Sequence, residues 1–240
     1  MNISNNDCFH VHTYRCGHAE NVSDEEYIKA ALSIGAKGIW FTDHAPFPGD
    51  PFGNRMDYCQ LNEYISTLSS LKIKYDTKIA VHIGLEIEYF PKFDKDGYYK
   101  YLCDNPNIEI LMLGQHMAET ETGYTFSWDK EKLNNDEYIA LGEAEKQGIE
   151  SGYFSVVAHP DRIFRRQKVW TDNMQKVADQ VIEAAKLNNV VLEQNESSKR
   201  DKYHYWNEFW AQVTDVPIVH GLDAHFISEL IHRRRVGYRG

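Results

Sequence analysis

Seven short apolar segments alternate with longer amphipathic segments along this chain, and no other feature restricts the fold as much. Short apolar segments bounded by polar turns are typical of buried strands, and amphipathic segments are typical of helices. Their alternation predicts an α/β fold with a parallel sheet. The predicted strands are residues 8–13, 38–42, 79–87, 108–113, 154–158, 190–193 and 217–221.

The amphipathic segments between the strands predict the helices. For the first helix, Ser23 and Glu26 predict a capping box at the start, and Gly35 predicts the end. Residues 45–56, which are rich in proline and glycine, are predicted to form an active-site loop, and residues 123–129 a second long loop. The predicted helices lie near residues 24–34, 57–76, 94–103, 130–151, 172–188, 201–212 and 226–233.

Composition narrows the class of protein. A length of 240 residues with 42% hydrophobic residues suits a single domain covering residues 1–240. The net charge of −10 argues against nonspecific nucleic-acid or membrane binding. We find no apolar segment of membrane-spanning length, no signal peptide and no Cys-x-x-Cys pair, so a reduced cytoplasmic protein is expected.

Each predicted strand leads to polar or ionisable side chains at its carboxyl end, which is the face where barrels build active sites. His10 and His12 are two residues apart on the first strand, so alternation predicts that both imidazoles face one side. His18 follows in a short loop. The residues at the other strand ends are Asp43, His44, Glu86, Glu88, Gln115, His116, His159, Asp161, Glu193, Gln194, Asn195, Asp223 and His225.

Seven of the eleven histidines are at or near these strand ends, and together with Glu86 and Asp223 they predict a metal site. Imidazole and carboxylate ligands suit Zn, Fe, Mn or Co rather than Ca. One ion needs about three or four protein ligands, so this set is large enough for two or three ions. Burying so many polar groups at one barrel mouth without ions would be costly. The remaining histidines, expected to be structural or on the surface, are His82, His204, His220 and His232.

This set of residues resembles the polymerase-and-histidinol-phosphatase (PHP) superfamily. The matching pattern is His10-x-His12, His18, Thr42-Asp43-His44, Gly84-x-Glu86, His116, His159-Pro160 and Asp223-x-His225. Residues 42–46, followed by Arg55-Met56, are similar to the histidinol-phosphate phosphatase branch. The resemblance implies a distorted seven-stranded (β/α)7 TIM-like barrel that hydrolyses a small phosphate ester, in this branch L-histidinol phosphate.

The resemblance also implies three divalent ions (Zn, Fe or Mn) and a metal-bridging hydroxide that attacks phosphorus. One ion would be bound by His10, His12, Glu86 and Asp223, a second by Glu86, His116 and His159, and a third by His18, His44 and His225. Asp223, His225 and Arg162 are the predicted catalytic residues. The chain departs from the family at Cys8, where an Asp is frequent, and in the altered segment 195–206.

Other residues near the strand ends are candidates for supporting roles. Arginine suits phosphate, and the predicted substrate contacts are Arg15, Arg55, Arg162 and Arg200. Glu88 and Asp161 could orient a ligand or protonate the leaving group. The aromatic residues Tyr203, Tyr205, Trp206, Phe209 and Trp210 are expected to pack a helix.

Three alternatives stay open at this point. The first is a PHP phosphoesterase for another small phosphomonoester or an oligonucleotide end. The second is an amidohydrolase-type barrel, although the fourth strand lacks a lysine that could bridge two metals. The third is a non-catalytic PHP module, although none of the nine predicted ligands is missing.

Overall fold

The computed structural model describes residues 3–128, 136–200 and 205–237, and these contain one seven-stranded sheet and one two-stranded sheet. The larger sheet has the order β1-β2-β3-β4-β7-β8-β9, and each strand overlaps one of the seven predicted segments. The strands are β1 (Asp7–Val11), β2 (Gly38–His44), β3 (Ala80–Ile87), β4 (Ile110–Leu113), β5 (Met117–Thr120), β6 (Gly123–Phe126), β7 (Val156–Val157), β8 (Val191–Asn195) and β9 (Ile218–Gly221).

Strand pairing in the larger sheet is parallel for β1 with β2, β2 with β3, β4 with β7, and β7 with β8. The segment after β9 pairs with β1: the Leu222 amide donates to the Phe9 carbonyl at 2.8 Å, and Val11 forms a parallel bridge with Ala224. This pairing joins the end of the last strand to the first strand, which brings their carboxyl ends together.

The two-stranded sheet corrects one prediction. Residues 123–126 were expected in a loop, whereas Gly123–Phe126 is the antiparallel partner of Met117–Thr120. Both strands have only four residues; Met117 and Ala118 of β5 are buried, but β6 has no buried residue, so neither strand has the longer apolar segment that identifies a core strand. The hairpin turn depends on Gly123, whose φ of 136° is inaccessible to most other residues.

The described helices follow the predicted order with three differences. The segment predicted near 94–103 is two helices separated by Gly97, which has a φ of 76°. Residues 130–135 and 201–204 of two predicted helices lie outside the described residues, and the short helix Glu196–Arg200 was not predicted. The helices are α1 (Asp24–Ser33), α2 (Leu61–Tyr75), α3 (Pro91–Lys95), α4 (Tyr98–Cys103), α5 (Glu137–Glu150), α6 (Asp172–Asn188), α7 (Glu196–Arg200), α8 (Asn207–Trp210) and α9 (Ile227–Gly237).

The predicted capping box of α1 is wrong, although the helix begins and ends close to the predicted residues. Ser23 is the N-cap, but its side chain makes no capping hydrogen bond, and the Glu26 carboxylate accepts a hydrogen bond from Lys29 Nζ at 2.6 Å instead. The three acidic residues of the first turn still suit the positive end of the helix dipole. Gly35, with a φ of 76°, terminates the helix as expected.

The described residues divide into two compact units. The first unit contains residues 3–87, 105–111 and 220–237, and its core includes the fully buried side chains of Phe9, Phe41 and Tyr64. The second unit contains residues 88–104, 112–128, 136–200 and 205–219, and its core includes Leu141 and Phe164. The predicted single domain over residues 1–240 stays a prediction. Among the described helices, none is long and apolar enough to cross a membrane.

Candidate metal centre

His10 in β1 and His12, one residue beyond its end, converge through an irregularity in the strand. His10 has a φ of 68°, and the register between β1 and β2 shifts between Cys8 and Val11. Both imidazoles are fully buried, with ring centroids 4.9 Å apart. The predicted convergence of the pair is therefore present, but a local distortion contributes to it in addition to the alternation of an ideal strand.

Glu86 lies at the centre of the histidines in the first unit. In the parallel register of β2 and β3, His44 is level with Glu86. Glu86 Oε2 lies 3.1 Å from His44 Nδ1, 3.3 Å from His10 Nε2 and 3.4 Å from His12 Nε2. One buried carboxylate oxygen thus contacts the imidazoles of two different strands.

Asp223 and His225 complete this cluster from the segment after β9. Asp223 Oδ1 lies 3.5 Å from both His12 Nε2 and His225 Nδ1, and 3.9 Å from His10 Nε2. The His225 ring stacks on His12 at 4.2 Å and on His18 at 4.6 Å between centroids. Seven of the nine predicted ligands therefore form one contiguous group in the first unit, called here the seven-ligand cluster: His10, His12, His18, His44, Glu86, Asp223 and His225.

The chemistry of the seven-ligand cluster fits a divalent metal ion. His12 Nδ1 and Nε2 and His225 Nε2 are buried and have no hydrogen-bond partner among the described residues, which would be costly without a ligand. Burial, helped by the charge of His44, lowers the pKa of His12 to about 3, and burial also lowers the pKa of His225 well below its ordinary value. Both imidazoles are consequently neutral near pH 7, which is the form that coordinates metals.

Two groups of donor atoms within the cluster are close enough to share an ion. One is His10, His12 and Glu86, the other is His12, His44 and His225, and in each the donor atoms lie within 4.8 Å of one another. His12 belongs to both groups, so the division of ligands among ions that the resemblance implies stays a prediction. Cys16, which was not predicted, forms a third group with His18 and His225.

The backbone carbonyl of Cys16, rather than its thiol, makes the clearest contact with the candidate ligand His18. His18 Nδ1 donates to the Cys16 carbonyl at 2.9 Å, which fixes the tautomer and leaves His18 Nε2 for ligation. Burial raises the pKa of the Cys16 thiol to about 12, so the thiol is protonated near neutral pH. The short spacing between Cys16 and His18 was the sequence signal for this contact, but spacing alone could not separate it from an ordinary loop.

His116 and His159 lie together in the second unit, with ring centroids 5.0 Å apart. Glu88, which is buried, places Oε1 3.2 Å from His116 Nδ1. Of the two roles predicted for Glu88, this contact favours orienting a ligand. The His159 amide donates to Glu193 Oε2 at 3.1 Å, and Asn195 Nδ2 donates to the same oxygen at 3.0 Å.

Asp43 supports the histidine pair His10 and His12, a separate role that was not predicted for it from the sequence. Its Oδ1 accepts a hydrogen bond from the Thr13 amide at 2.6 Å, its Oδ2 accepts one from the Thr13 hydroxyl, and Oδ1 lies 3.8 Å from His12 Nδ1. Burial raises the pKa of Asp43 to about 7. A carboxyl group therefore lies behind the His-x-His pair even though Cys8 replaces the frequent Asp. The sequence feature that could have indicated this role of Asp43 is its position in Thr42-Asp43-His44.

The four predicted substrate arginines have different environments. Arg15 uses its guanidinium for five hydrogen bonds, to Asp24, Glu63 and Thr13, which leaves no N–H for a phosphate, so we do not retain it as a substrate contact. Arg55 donates to the Ala45 carbonyl at 3.1 Å within the predicted active-site loop. The fourth, Arg200, is exposed at the end of α7.

Arg162 lies near polar side chains of the second unit. Its Nη2 donates to Ser198 Oγ at 3.0 Å and to Asn195 Oδ1 at 3.4 Å. The neighbouring Asp161 accepts hydrogen bonds from the Trp206 amide at 2.8 Å and from Trp210 Nε1 at 2.9 Å. Asp161 is buried in these contacts, which favour a structural role, and neither of its two predicted roles, orienting a ligand or protonating the leaving group, is tested by them.

The remaining predictions concern packing. Tyr205 stacks on Trp210, and Trp206 packs against Trp170, which is the expected helix packing, and Tyr203 lies outside the described residues. His82 Nδ1 contacts Glu109 at 2.7 Å and its ring stacks on Trp40, which is the expected structural role. His204 lies outside the described residues.

Backbone strain is concentrated at the predicted ligands. Among the described residues, six other than glycine have positive φ, and three of these are His10, His159 and Asp223. A non-glycine residue in this region costs about 1–3 kcal/mol and persists where surrounding contacts hold it. This distribution is typical of functional sites.

Comparisons with known proteins agree on one family. A family model described as PHP domain matches residues 9–197. The chain is 28% identical over 246 residues to the histidinol-phosphatase of Bacillus subtilis (strain 168), an alignment that covers 90% of this chain and 92% of the relative.

Two solved structures share the fold. One is a Listeria monocytogenes protein assigned as the histidinol phosphatase hisK, with 15% identity and a TM-score of 0.74 over 93% of this chain and 96% of that one. The other is the histidinol phosphate phosphatase of Lactococcus lactis in complex with zinc, L-histidinol and phosphate, with 18% identity and a TM-score of 0.71 over 95% and 90%. These similarities confirm the predicted fold class, a seven-stranded TIM-like barrel.

Proposed function

Because the chain belongs to the PHP domain family, we propose that it is a metal-dependent phosphomonoesterase that hydrolyses L-histidinol phosphate. The observation that carries the metal dependence is the seven-ligand cluster, in which buried nitrogens of His12 and His225 lack hydrogen-bond partners among the described residues. The substrate follows from the Bacillus subtilis relative, which the chain matches over nearly its whole length. The proposed enzyme acts in the cytoplasm, in histidine biosynthesis.

The proposed cofactors are three divalent ions, with Zn, Fe and Mn as candidates. Zinc is present in the Lactococcus lactis complex, and histidine with carboxylate ligands suits all three metals. The seven-ligand cluster offers donors for two ions. The remaining ion, which the resemblance assigns to Glu86, His116 and His159, stays a prediction.

Metal binding, ligand orientation and phosphate binding can each be assigned to named residues in the proposed reaction. When bound, the ions supply Lewis acidity that activates water and neutralises phosphoryl oxygens. Neutral His12 and His225 are ready to coordinate without first losing a proton. Glu88 orients the His116 ring. Arg162 and Arg55 are proposed to donate to phosphate oxygens, for which a guanidinium is well suited.

The activity test is a comparison of substrates. Phosphate release by the metal-replete protein is measured with L-histidinol phosphate, phosphoserine, p-nitrophenyl phosphate and a 3′-phosphorylated dinucleotide. We expect kcat/KM for L-histidinol phosphate to exceed the others by about 100-fold, because a site that hydrogen-bonds polar groups of its substrate discriminates strongly against compounds that lack them. Similar rates on all four compounds would overturn the substrate, and no phosphate release would overturn the activity.

Matched variants separate the metal cluster from the rest of the fold. Asp223→Asn should reduce kcat by about 100-fold or more, since it removes a charged proposed ligand that lies 3.5 Å from both His12 Nε2 and His225 Nδ1. His82→Gln replaces a histidine outside the cluster and should retain activity near that of the parent protein. Equal losses in the two variants would show that the cluster has no special role.

A further inference from the structure

The segment that carries Asp223 and His225 is held by an ion pair on the following helix. Arg233 Nη1 donates to the carbonyls of Leu222, at 3.0 Å, and of Asp223, while Nη2 donates to Glu229 Oε1 at 2.6 Å. Glu229 Oε2 in turn accepts the amides of His225 at 2.9 Å and of Phe226 at 3.2 Å. One ion pair thus binds four peptide groups on both sides of Ala224.

The segment needs this support because its backbone is strained. Asp223 has a φ of 49°, a conformation that a non-glycine residue keeps only when surrounding contacts hold it. Ala224 is tied to β1, since its amide donates to the His10 carbonyl at 3.1 Å and its carbonyl accepts the His12 amide at 2.9 Å. The Arg233 guanidinium donates to the carbonyl of the strained residue itself, and His225 Nδ1 lies 3.4 Å from the same oxygen.

We propose that Arg233 and Glu229 are positioning residues for the metal centre, acting through the backbone of Asp223 and His225. Asp223 Oδ1 lies 3.5 Å from His12 Nε2, and the His225 ring stacks on His12 at 4.2 Å, so a small rotation of the segment would displace two proposed ligands at once. The pairing also balances charge next to this segment, since the Glu229 carboxylate lies 2.6 Å from Arg233 Nη2.

This inference rests on the metal site of the proposed function but not on its substrate. It is tested by metal affinity, measured with Zn²⁺ or Mn²⁺ alone in competition with a chelating indicator. Arg233→Met should raise the Kd for metal by about 10- to 100-fold, as is typical when the residues that orient metal ligands are removed. Arg233→Lys keeps a donor and a charge and should restore part of the affinity. Glu229→Gln keeps one acceptor oxygen and should show a smaller loss in the same direction.

Ser228→Gly is the control for a merely structural role. Ser228 is exposed on α9, so the glycine weakens the helix without touching the Asp223 segment. We expect this variant to lower the thermal stability of the chelated protein while leaving metal affinity and kcat unchanged. The Arg233 variants should lower kcat more than they raise KM.

The outcomes separate the inference from the proposed function. If the parent protein binds metal and Arg233→Met and Glu229→Gln bind it equally well, the inference is wrong and the phosphatase proposal is unaffected. An equal loss of metal affinity in Ser228→Gly would also overturn it, because helix stability alone would then explain the effect. If the positioning variants lose affinity but no protein hydrolyses L-histidinol phosphate, the inference stands and the substrate is wrong. If Arg233→Met fails to fold, Arg233→Lys and Glu229→Gln decide the question.

Discussion

His116 Nδ1 lies 3.2 Å from Glu88 Oε1, and the carboxylate is almost completely buried beside it. A carboxylate that binds one ring nitrogen of a histidine orients the ring and makes the other nitrogen a better metal ligand. Glu88 directly follows β3 and His116 follows β4 in the chain, so the pair joins residues that are distant in sequence.

Removal of the Glu88 charge should therefore weaken metal binding without unfolding the protein. Glu88→Gln is expected to reduce metal affinity by about 10-fold or more, measured by competition with a chelating indicator. Glu143→Gln, which changes an exposed glutamate on α5, is the matched control. Equal affinities in the Glu88 and Glu143 variants would contradict the orienting role.

Arg162 should affect substrate binding more than metal binding. Arg162→Lys keeps the charge but loses the planar pair of donors that suits a phosphate, so kcat/KM should fall by about 10- to 100-fold with unchanged metal content. The control is Lys199→Met, which removes another cation of the same unit that pairs with Glu196. A variant with normal kcat/KM would remove Arg162 from the proposed substrate contacts.

Metal removal should lower thermal stability, because an ion that binds only the folded chain stabilises it. At 100 times Kd this linkage gives about 2.7 kcal/mol, which corresponds to about 5–10 °C in Tm for a protein of this size. The measurement is calorimetry before and after chelation. His12→Ala should show a smaller shift than the parent protein, and an unchanged Tm on chelation would contradict the fit of the cluster to metal.

The ion pairs of Glu109 should make stability depend on pH. Burial alone would raise the pKa of Glu109, but hydrogen bonds and charge from His82 and Lys72 lower it to about 2. Since the pKa is depressed in the folded state, the stabilisation is present above the ordinary value of 4.5 and is lost as pH falls toward 2.

Glu109→Gln tests this dependence. Its free energy of unfolding in urea should be lower than that of the parent protein by about 1 kcal/mol at pH 7, a figure that allows for solvent screening of a partly exposed group. The difference should shrink between pH 5 and pH 3. A difference that stays constant over this range would show that packing rather than charge is responsible.

The strands and the clustering of candidate ligands near their ends were predictable because each has a local signal. β2 begins with the apolar residues Gly38–Phe41, and β3 is apolar except for His82 before Glu86 follows; burial in the core requires such apolar residues. The hairpin β5–β6 has no such signal, because its four-residue strands mix apolar and polar residues and β6 has no buried residue.

The supporting contacts were not predictable because they depend on residues distant in sequence. The position of Arg15 near a strand end suggests that it binds phosphate, yet its guanidinium donates to Asp24 and Glu63. Nothing local indicates that Arg233 reaches the carbonyl of Asp223. Tertiary structure decides which partner each charged side chain finds.

The most direct test of the central claim is phosphate release from L-histidinol phosphate by the purified protein, before chelation, after chelation, and after a divalent metal is returned. We expect turnover in the replete protein, its loss on chelation, and its recovery with Zn²⁺, Mn²⁺ or Fe²⁺. Turnover that survives complete removal of metal, or its absence from a protein that has bound metal, would contradict a metal-dependent histidinol phosphatase.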